Sequence, residues 1–363
     1  MALDRPMSNR YLLVAALLPL WVSIAALAYV VIRELGWQRL KRYTFAWLCV
    51  ALSLASFPAA GFLKVAWPYK DRILAKLIRR ESPAVVLSAG CSVFPANNIW
   101  NTSVRNLPLD PHWQNYLQTM GPNQPLHADF TLPFAFVAGG APTASVDLGG
   151  NSESDPGPYR IPDNAPIELG EDAHVLVLDS EPCRLYELYA AKHVGEGRWE
   201  AGTGAIFDLR SNKLRPQGWT SADASGLPIL PGLVRYDEVA SGHIRHALRF
   251  STRLTRRAFI WPARHFASRS EDPNLPPMGL RVRLRDSFDT AGLSPEAQVI
   301  LTALKEYGMF LADNGGNWFL SGAIDSRWSS RLAQELKKVT GSDFEAVDST
   351  SLMKDPDSAE VRP

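Results

Sequence analysis

Two short segments, 242–250 (GHIRHALRF) and 261–268 (WPARHFAS), concentrate the side chains of this chain best suited to chemistry. If 243–250 is a strand, its period of two puts Ile244, His246, Leu248 and Phe250 on one face and His243, Arg245, Ala247 and Arg249 on the other. A guanidinium fork matches a carboxylate and an indole stacks on a sugar ring, so Arg245 and Arg249 beside Trp261 and His265 read as a site for an acidic sugar. In that reading His265 takes a proton while Arg249 neutralises the developing enolate, which is polysaccharide lyase chemistry. The plainer alternative is a solvated strand face with cross-strand ion pairs. His243 and His246 point to opposite faces and a zinc site needs three converging ligands, so no metal is expected.

Glycosidase chemistry would need two carboxyls instead, about 5–5.5 Å apart in retaining enzymes and about 6.5–9.5 Å in inverting ones. Asp129, Glu187, Asp223, Asp237, Glu238 and Asp313 are the candidates. Glu187 alternates with Leu185 and Tyr189, so it is either a misfit in a core or part of a sugar-binding surface. Asp129 and Glu187 are the acids expected to act, with Asp313 and Asn314 joining Arg245 and Trp261 in substrate binding. Either enzyme reading requires Arg249, His265 and Trp261 to converge on one concave surface with Glu187, Asp129 or Asp313 close by. GxSxG, HExxH, P-loop and GxGxxG motifs are all absent, so no cofactor is expected.

These residues need a scaffold, and residues 82–348 read as a mainly β domain. Short apolar runs alternate with Gly, Pro and Asp punctuation at 134–138, 174–178, 184–190, 205–208, 243–250, 258–261 and 280–284. Near the end the period changes. Ser294, Pro295 and Glu296 open a helix whose apolar residues run through Ile300, Leu301, Leu304 and Met309, with Asn314-Gly315-Gly316 as its stop. A second helix is expected over 327–339, capped by Asp325, and 349–363 reads as a disordered tail. The expected architecture is a β-sandwich or jelly roll with C-terminal helices. Seven of the eleven tryptophans lie in this domain and offer stacking surface.

Charge divides the chain. Residues 1–81 carry a net charge of +8 and 82–363 one of −7. An acidic domain has no electrostatic footprint for nucleic acid, and that class is rejected. Residues 11–32 and 44–63 lack any charged side chain and are long enough to cross a hydrocarbon core of about 30 Å, so 1–81 reads as a transmembrane hairpin in the lipid bilayer. A cleaved signal sequence is the alternative for the second span. Residues 70–80 (KDRILAKLIRR) put apolar and basic residues on opposite helical faces, an interfacial pattern. Counting those cations, Lys and Arg favour cytoplasmic termini; discounting them, the count decides nothing. Cys91 and Cys183, the two cysteines of the domain, suit an oxidising compartment if bridged and either side of the membrane if they are buried free thiols.

The segments CSVFPANNIWN, CRLYELYAA, RPQGWTSADASGLPILPGLVRYDEV, IRHALRF, IWPARHFAS, LPPMGLRVRL and LTALKEYGMFLADNGGNW resemble an uncharacterised group of secreted bacterial β-rich proteins over about 90–345. No activity attaches to the group. The resemblance implies export of the domain, which favours the Cys91–Cys183 bridge and an extracytoplasmic position on a bacterial inner membrane. The expectation is therefore a membrane-anchored domain that binds, and by lyase or glycosidase chemistry cleaves, a polysaccharide. The competing expectation is a non-enzymatic envelope scaffold whose hairpin docks a protein partner.

Overall fold

A computed structural model describes residues 91–139 and 141–362. The hairpin, the interfacial helix and the membrane address therefore concern residues outside the described ones; among the described residues no helix is long and apolar enough to cross a membrane. The described strands are, in chain order, β1 (His127–Leu132), β2 (Ala135–Val137), β3 (Ser145–Asp147), β4 (Val175–Asp179), β5 (Arg184–Tyr189), β6 (Lys192–Gly195) and β7 (Arg198–Glu200). Then follow β8 (Thr203–Asp208), β9 (Leu248–Thr252), β10 (Arg281–Leu284), β11 (Met309–Asn314), β12 (Phe319–Ala323) and β13 (Phe344–Val347). The helices are α1 (Trp113–Met120), α2 (Tyr236–Ala240), α3 (Pro295–Glu306) and α4 (Leu332–Leu336).

The domain is mainly β and has several sheets. Six strands pair in the order β1-β12-β9-β11-β10-β13, four as β2-β4-β5-β8, and three as β3-β7-β6. Strand β4, VLVLD, is buried along its whole length because both faces of its sheet are covered. Leu176, Leu178, Leu185, Ala205 and Phe207 share a core with Phe250, Val282 and Leu320 of the six-stranded sheet. On the opposite face Val175, Val177, Tyr186 and Leu188 pack with Trp199 of the three-stranded sheet. The pairs β1–β12 and β9–β11 are parallel, which an all-antiparallel jelly roll would lack.

Cys91 and Cys183 are joined by a disulfide that closes a separation of 92 residues and ties the start of the described chain to the turn before β5. Replacing both cysteines by alanine should lower stability by about 2–4 kcal/mol, because a long loop in the unfolded chain is released. Urea unfolding of the double variant measures this, and an unchanged midpoint would show that the bridge does not constrain folding.

Several expected elements end elsewhere. Helix α3 starts as expected, with the Ser294 hydroxyl accepting from Ala297 N and Pro295 in the first turn. It stops at Tyr307 because Gly308 takes φ +64° and packs so tightly on the Val282 carbonyl that a Cβ would lie 2.2 Å from it. Met309–Asn314 is consequently strand β11, and Asn314-Gly315-Gly316 ends that strand. The 243–250 strand begins only at Leu248, since the Ala247 N–H donates to the Trp100 carbonyl before the ladder starts. Residues 258–261 make a single bridge, Phe259 to Met278, instead of a strand. The second C-terminal helix shrinks to α4: Asp325 accepts from Arg327 N, and Trp328 folds back to donate to the Ala323 carbonyl. Residues 349–362, expected to be disordered, form a short 3-10 turn and bridges to Asn98 and Lys213 through Glu360 and Ser358, burying Ala359.

Candidate functional site

Strand β9 lies between β12 and β11 and carries Arg249 at the heart of a polar cluster inside the domain. The guanidinium is 5% exposed. It donates to both oxygens of Asp223 at 2.9 Å each, and its Nη1 donates to Ser321 Oγ at 2.5 Å. Burial would lower the Arg249 pKa, but the charge of Asp223 and its hydrogen bonds raise it above the ordinary value. Gly232 gives the guanidinium stem its room, because a Cβ there would meet Arg249 Cβ at 2.9 Å.

Register brings two more acids to the same face. Asp129 of β1 sits opposite Ser321 of β12, beside the Arg249 head. Asp313 gets there by a bulge. Leu311 pairs with Phe250, yet Asp313 pairs with Ser251, so Ala312 is the extra residue. Without that insertion Asp313 would point to the opposite face, where Phe250 stacks on Trp318.

The facing four-stranded sheet contributes Glu187, which shares the Leu185 face of β5. Glu187 is wholly buried. Its carboxyl accepts from Ile229 N at 3.0 Å and from Leu230 N at 2.9 Å, capping the turn that leads to Gly232. Burial pushes its pKa up to about 7, with the Asp223 charge adding and the two N–H groups offsetting part. Burial likewise pushes Asp313 up to about 8, again with Asp223 adding and Arg249 opposing.

At the partly exposed edge stand Asp129, Thr131, Glu168 and Tyr189. Thr131 Oγ1 lies 3.2 Å from Asp129 Oδ1 and 3.4 Å from Glu168 Oε1, so those two oxygens are no farther apart than the sum of the two contacts. One hydroxyl has one hydrogen to give and can accept one from a protonated carboxyl, so it suits a pair in unlike states. The environments split the pair in that sense. Burial raises Asp129, helped by the neighbouring Glu168 charge, while Thr131, Arg249 and His127 offset only part. Burial also opposes charge on Glu168, but the hydrogen bond and charge of His174 outweigh it and hold Glu168 below its ordinary value. His174 Nδ1 lies 2.5 Å from Glu168 Oε2, and the Tyr189 ring stands 5.7 Å from the imidazole.

Five carboxyls thus face one guanidinium, the His174 imidazole and, beside Asp129, His127. In a site of low dielectric so many negative charges cannot coexist, and protons stay on Asp129 and Asp313 at pH values where exposed carboxyls have lost theirs. Among the described residues no three His, Cys, Asp or Glu side chains are grouped to hold a metal ion.

The expected residues divide accordingly. Arg249, Glu187, Asp129 and Asp313 come together, but Glu187 and Arg249 lie too deep, and are too fully engaged, to reach a substrate. His265 does not join them: its Nδ1 donates to the Ala224 carbonyl and its Nε2 faces Glu153 at 3.7 Å. Trp261 donates to the Ser358 carbonyl and packs on the tail. Arg245 precedes β9 and is exposed near Tyr307, whose pKa it lowers in part. Asn314 is spent on Thr255 and the backbone of Thr252 and Arg253. The convergence of Arg249, His265 and Trp261 therefore fails, and both enzyme readings that required it fail as drawn; a glycosidase can rest only on the carboxyls at the edge of the cluster. Trp100, Trp199 and Trp318 are 0–1% exposed and offer no stacking platform, Trp113, Trp219, Trp261 and Trp328 are partly exposed, and at the cluster itself the open aromatic ring is Tyr189, 38% exposed and against His174. Glu168, His174, Thr131 and Ser321 were not anticipated. The one sequence signal was an acid six residues before a histidine at the head of an apolar strand.

Comparison with protein-family models, with curated proteins and with solved structures finds no match to this chain.

Proposed function

We propose that this chain is a membrane-anchored bacterial protein whose extracytoplasmic β-rich domain binds and cleaves a polysaccharide as a glycoside hydrolase. Asp129 is the general acid and Glu168 the ionised carboxylate that acts on the sugar from the other side. The observation that carries this reading is the Asp129–Thr131–Glu168 arrangement, in which one hydroxyl joins two carboxyls whose surroundings shift them in opposite directions, Asp129 up and Glu168 down. Their limiting separation admits the retaining spacing of about 5–5.5 Å and barely reaches the start of the inverting range at about 6.5 Å. The exposed Tyr189 ring, packed against His174, is the surface on which a sugar would rest. Arg249 is saturated by Asp223 and Ser321, so a neutral glycan fits this site better than a uronic acid.

In this proposal the six- and four-stranded sheets are the layers of a β-sandwich, residues 11–32 and 44–63 are a hairpin in the inner membrane, and 70–80 lies along its surface. The disulfide suits an oxidising compartment outside the cytoplasm. The full chain, in detergent, should release new reducing ends from a panel of neutral envelope and plant glycans, with the anomeric configuration retained. Binding without release across the panel would drop the hydrolase and leave a carbohydrate-binding protein. Neither binding nor release would favour the envelope scaffold.

A further inference from the structure

His174 stands between the two halves of the cluster, and its contacts define its protonation. Its Nε2 lies 3.1 Å from the Ala222 carbonyl oxygen, a pure acceptor, so Nε2 carries a hydrogen. Its Nδ1 lies 2.5 Å from Glu168 Oε2, and a carboxylate also only accepts. With Glu168 ionised, as its lowered pKa favours, both nitrogens donate and the ring is an imidazolium.

We propose that His174 is a positioning residue, an imidazolium that locks the Glu168 carboxylate beside Asp129 and ties it to the loop whose next residue, Asp223, clamps Arg249. This rests on the glycosidase reading for the use made of Glu168, but the lock itself is independent of any substrate. The groups facing the ring are Glu168 from the loop before β4, the Ala222 carbonyl and Asp223, Arg249 of β9, and the Tyr189 ring of β5. Glu187 and Asp313 feel its charge as well. Burial and Arg249 work against the imidazolium, and Glu168, joined by Asp223, outweighs them. The sign follows. A histidine raised above its unfolded value gives its full contribution below about pH 6.5 and loses it as pH climbs through the folded pKa. Glu168, lowered, gives its contribution above about pH 4.5 and loses it as pH falls through its own folded pKa. The lock is closed between those limits.

Nitrogen-15 histidine NMR of the full chain, with His174→Gln identifying the resonance among the seven histidines, tests the proposal. His174 should be doubly protonated at pH 6 and should release its proton with a midpoint above the ordinary histidine value of about 6.5. A midpoint at or below that value overturns the proposal. A second readout uses a diazo reagent that esterifies only protonated carboxyls, with peptide mass spectrometry to find the ester. Glu168 should be esterified at least about tenfold faster in His174→Gln than in the wild type, one decade for each unit its pKa rises. An unchanged rate means that His174 merely fills space, and it also overturns the proposal. Neither readout needs a glycan. A protein with the lock intact and no hydrolysis would therefore defeat the glycosidase reading alone.

Discussion

Asp223→Asn should destabilise the domain by about 3 kcal/mol, toward the low end of the about 3–5 kcal/mol lost when one partner of a buried ion pair is removed. Asp223 is wholly buried and meets Arg249 through two hydrogen bonds. The amide keeps the shape and removes the charge, so the guanidinium is left in a site of low dielectric. The low end applies because Asp129 and Asp313 already feel the Arg249 charge and can take over as counterions. Asp313, relieved of the like charge that raises it, should then titrate below its wild-type value of about 8. Urea midpoints give the stability change. A loss under about 1 kcal/mol would mean that the edge carboxyls, and not Asp223, neutralise Arg249.

The same groups set the pH trend. Glu187 and Asp313 both have folded pKa values above their unfolded ones, so the stabilisation from their protonated forms is complete below about pH 4. It is lost as pH rises through about 7 and about 8. The urea midpoint should fall between about pH 5 and 9, and Glu187→Gln should flatten the first part of that fall. A midpoint that rose over this range would contradict the assignment of protons to the cluster.

Asp129→Asn should reduce glycan hydrolysis by about 10²–10⁴-fold, the range that a positioned acid supplies, while binding persists. Glu168→Gln should cost at least as much, because it removes the group that meets the developing positive charge on the sugar. The two variants are separable. An aryl glycoside with a good leaving group needs little protonation, so it should restore turnover in Asp129→Asn and not in Glu168→Gln. Rescue of Glu168→Gln and not of Asp129→Asn would reverse the roles, and wild-type rates in either would remove that residue from the mechanism.

Much of the fold was legible. Strands β4, β5, β8 and β10 fall within a residue or two of their expected bounds, because VLVLD, RLYELY, TGAIFD and RVRL are buried on at least one face and carry the period of that burial. Strands β11 and β12 were hidden. Met309 continues the apolar spacing of α3, and only the packing of Gly308 on Val282 breaks the helix there. The site was half legible. Glu187 stood out as an acid between apolar residues, Arg249 as part of a cationic face, and Asp129 and Asp313 as candidate acids, but the same reading also selected Arg245, Trp261, His265 and Asn314. Local context does not separate the eight, because it cannot tell a side chain in the inter-sheet cluster from one held by a loop or a tail.

What the residues dictate through local chemistry is the β-rich domain, the start of α3, the pair of cysteines in one domain and one carboxyl, Glu187, too apolar in context to be an ordinary surface acid. Period, capping and composition act over a few residues, and those features need no more. Which acids meet depends on pairings across long sequence distances. Asp129 reaches Ser321 through the parallel β1–β12 ladder, Asp313 joins the Arg249 face through one extra residue in β11, and His174 reaches Ala222 from the head of a strand in another sheet. Each of these turns on register, where a shift of one residue sends a side chain to the other face, and register is set by the packed sheets as a whole.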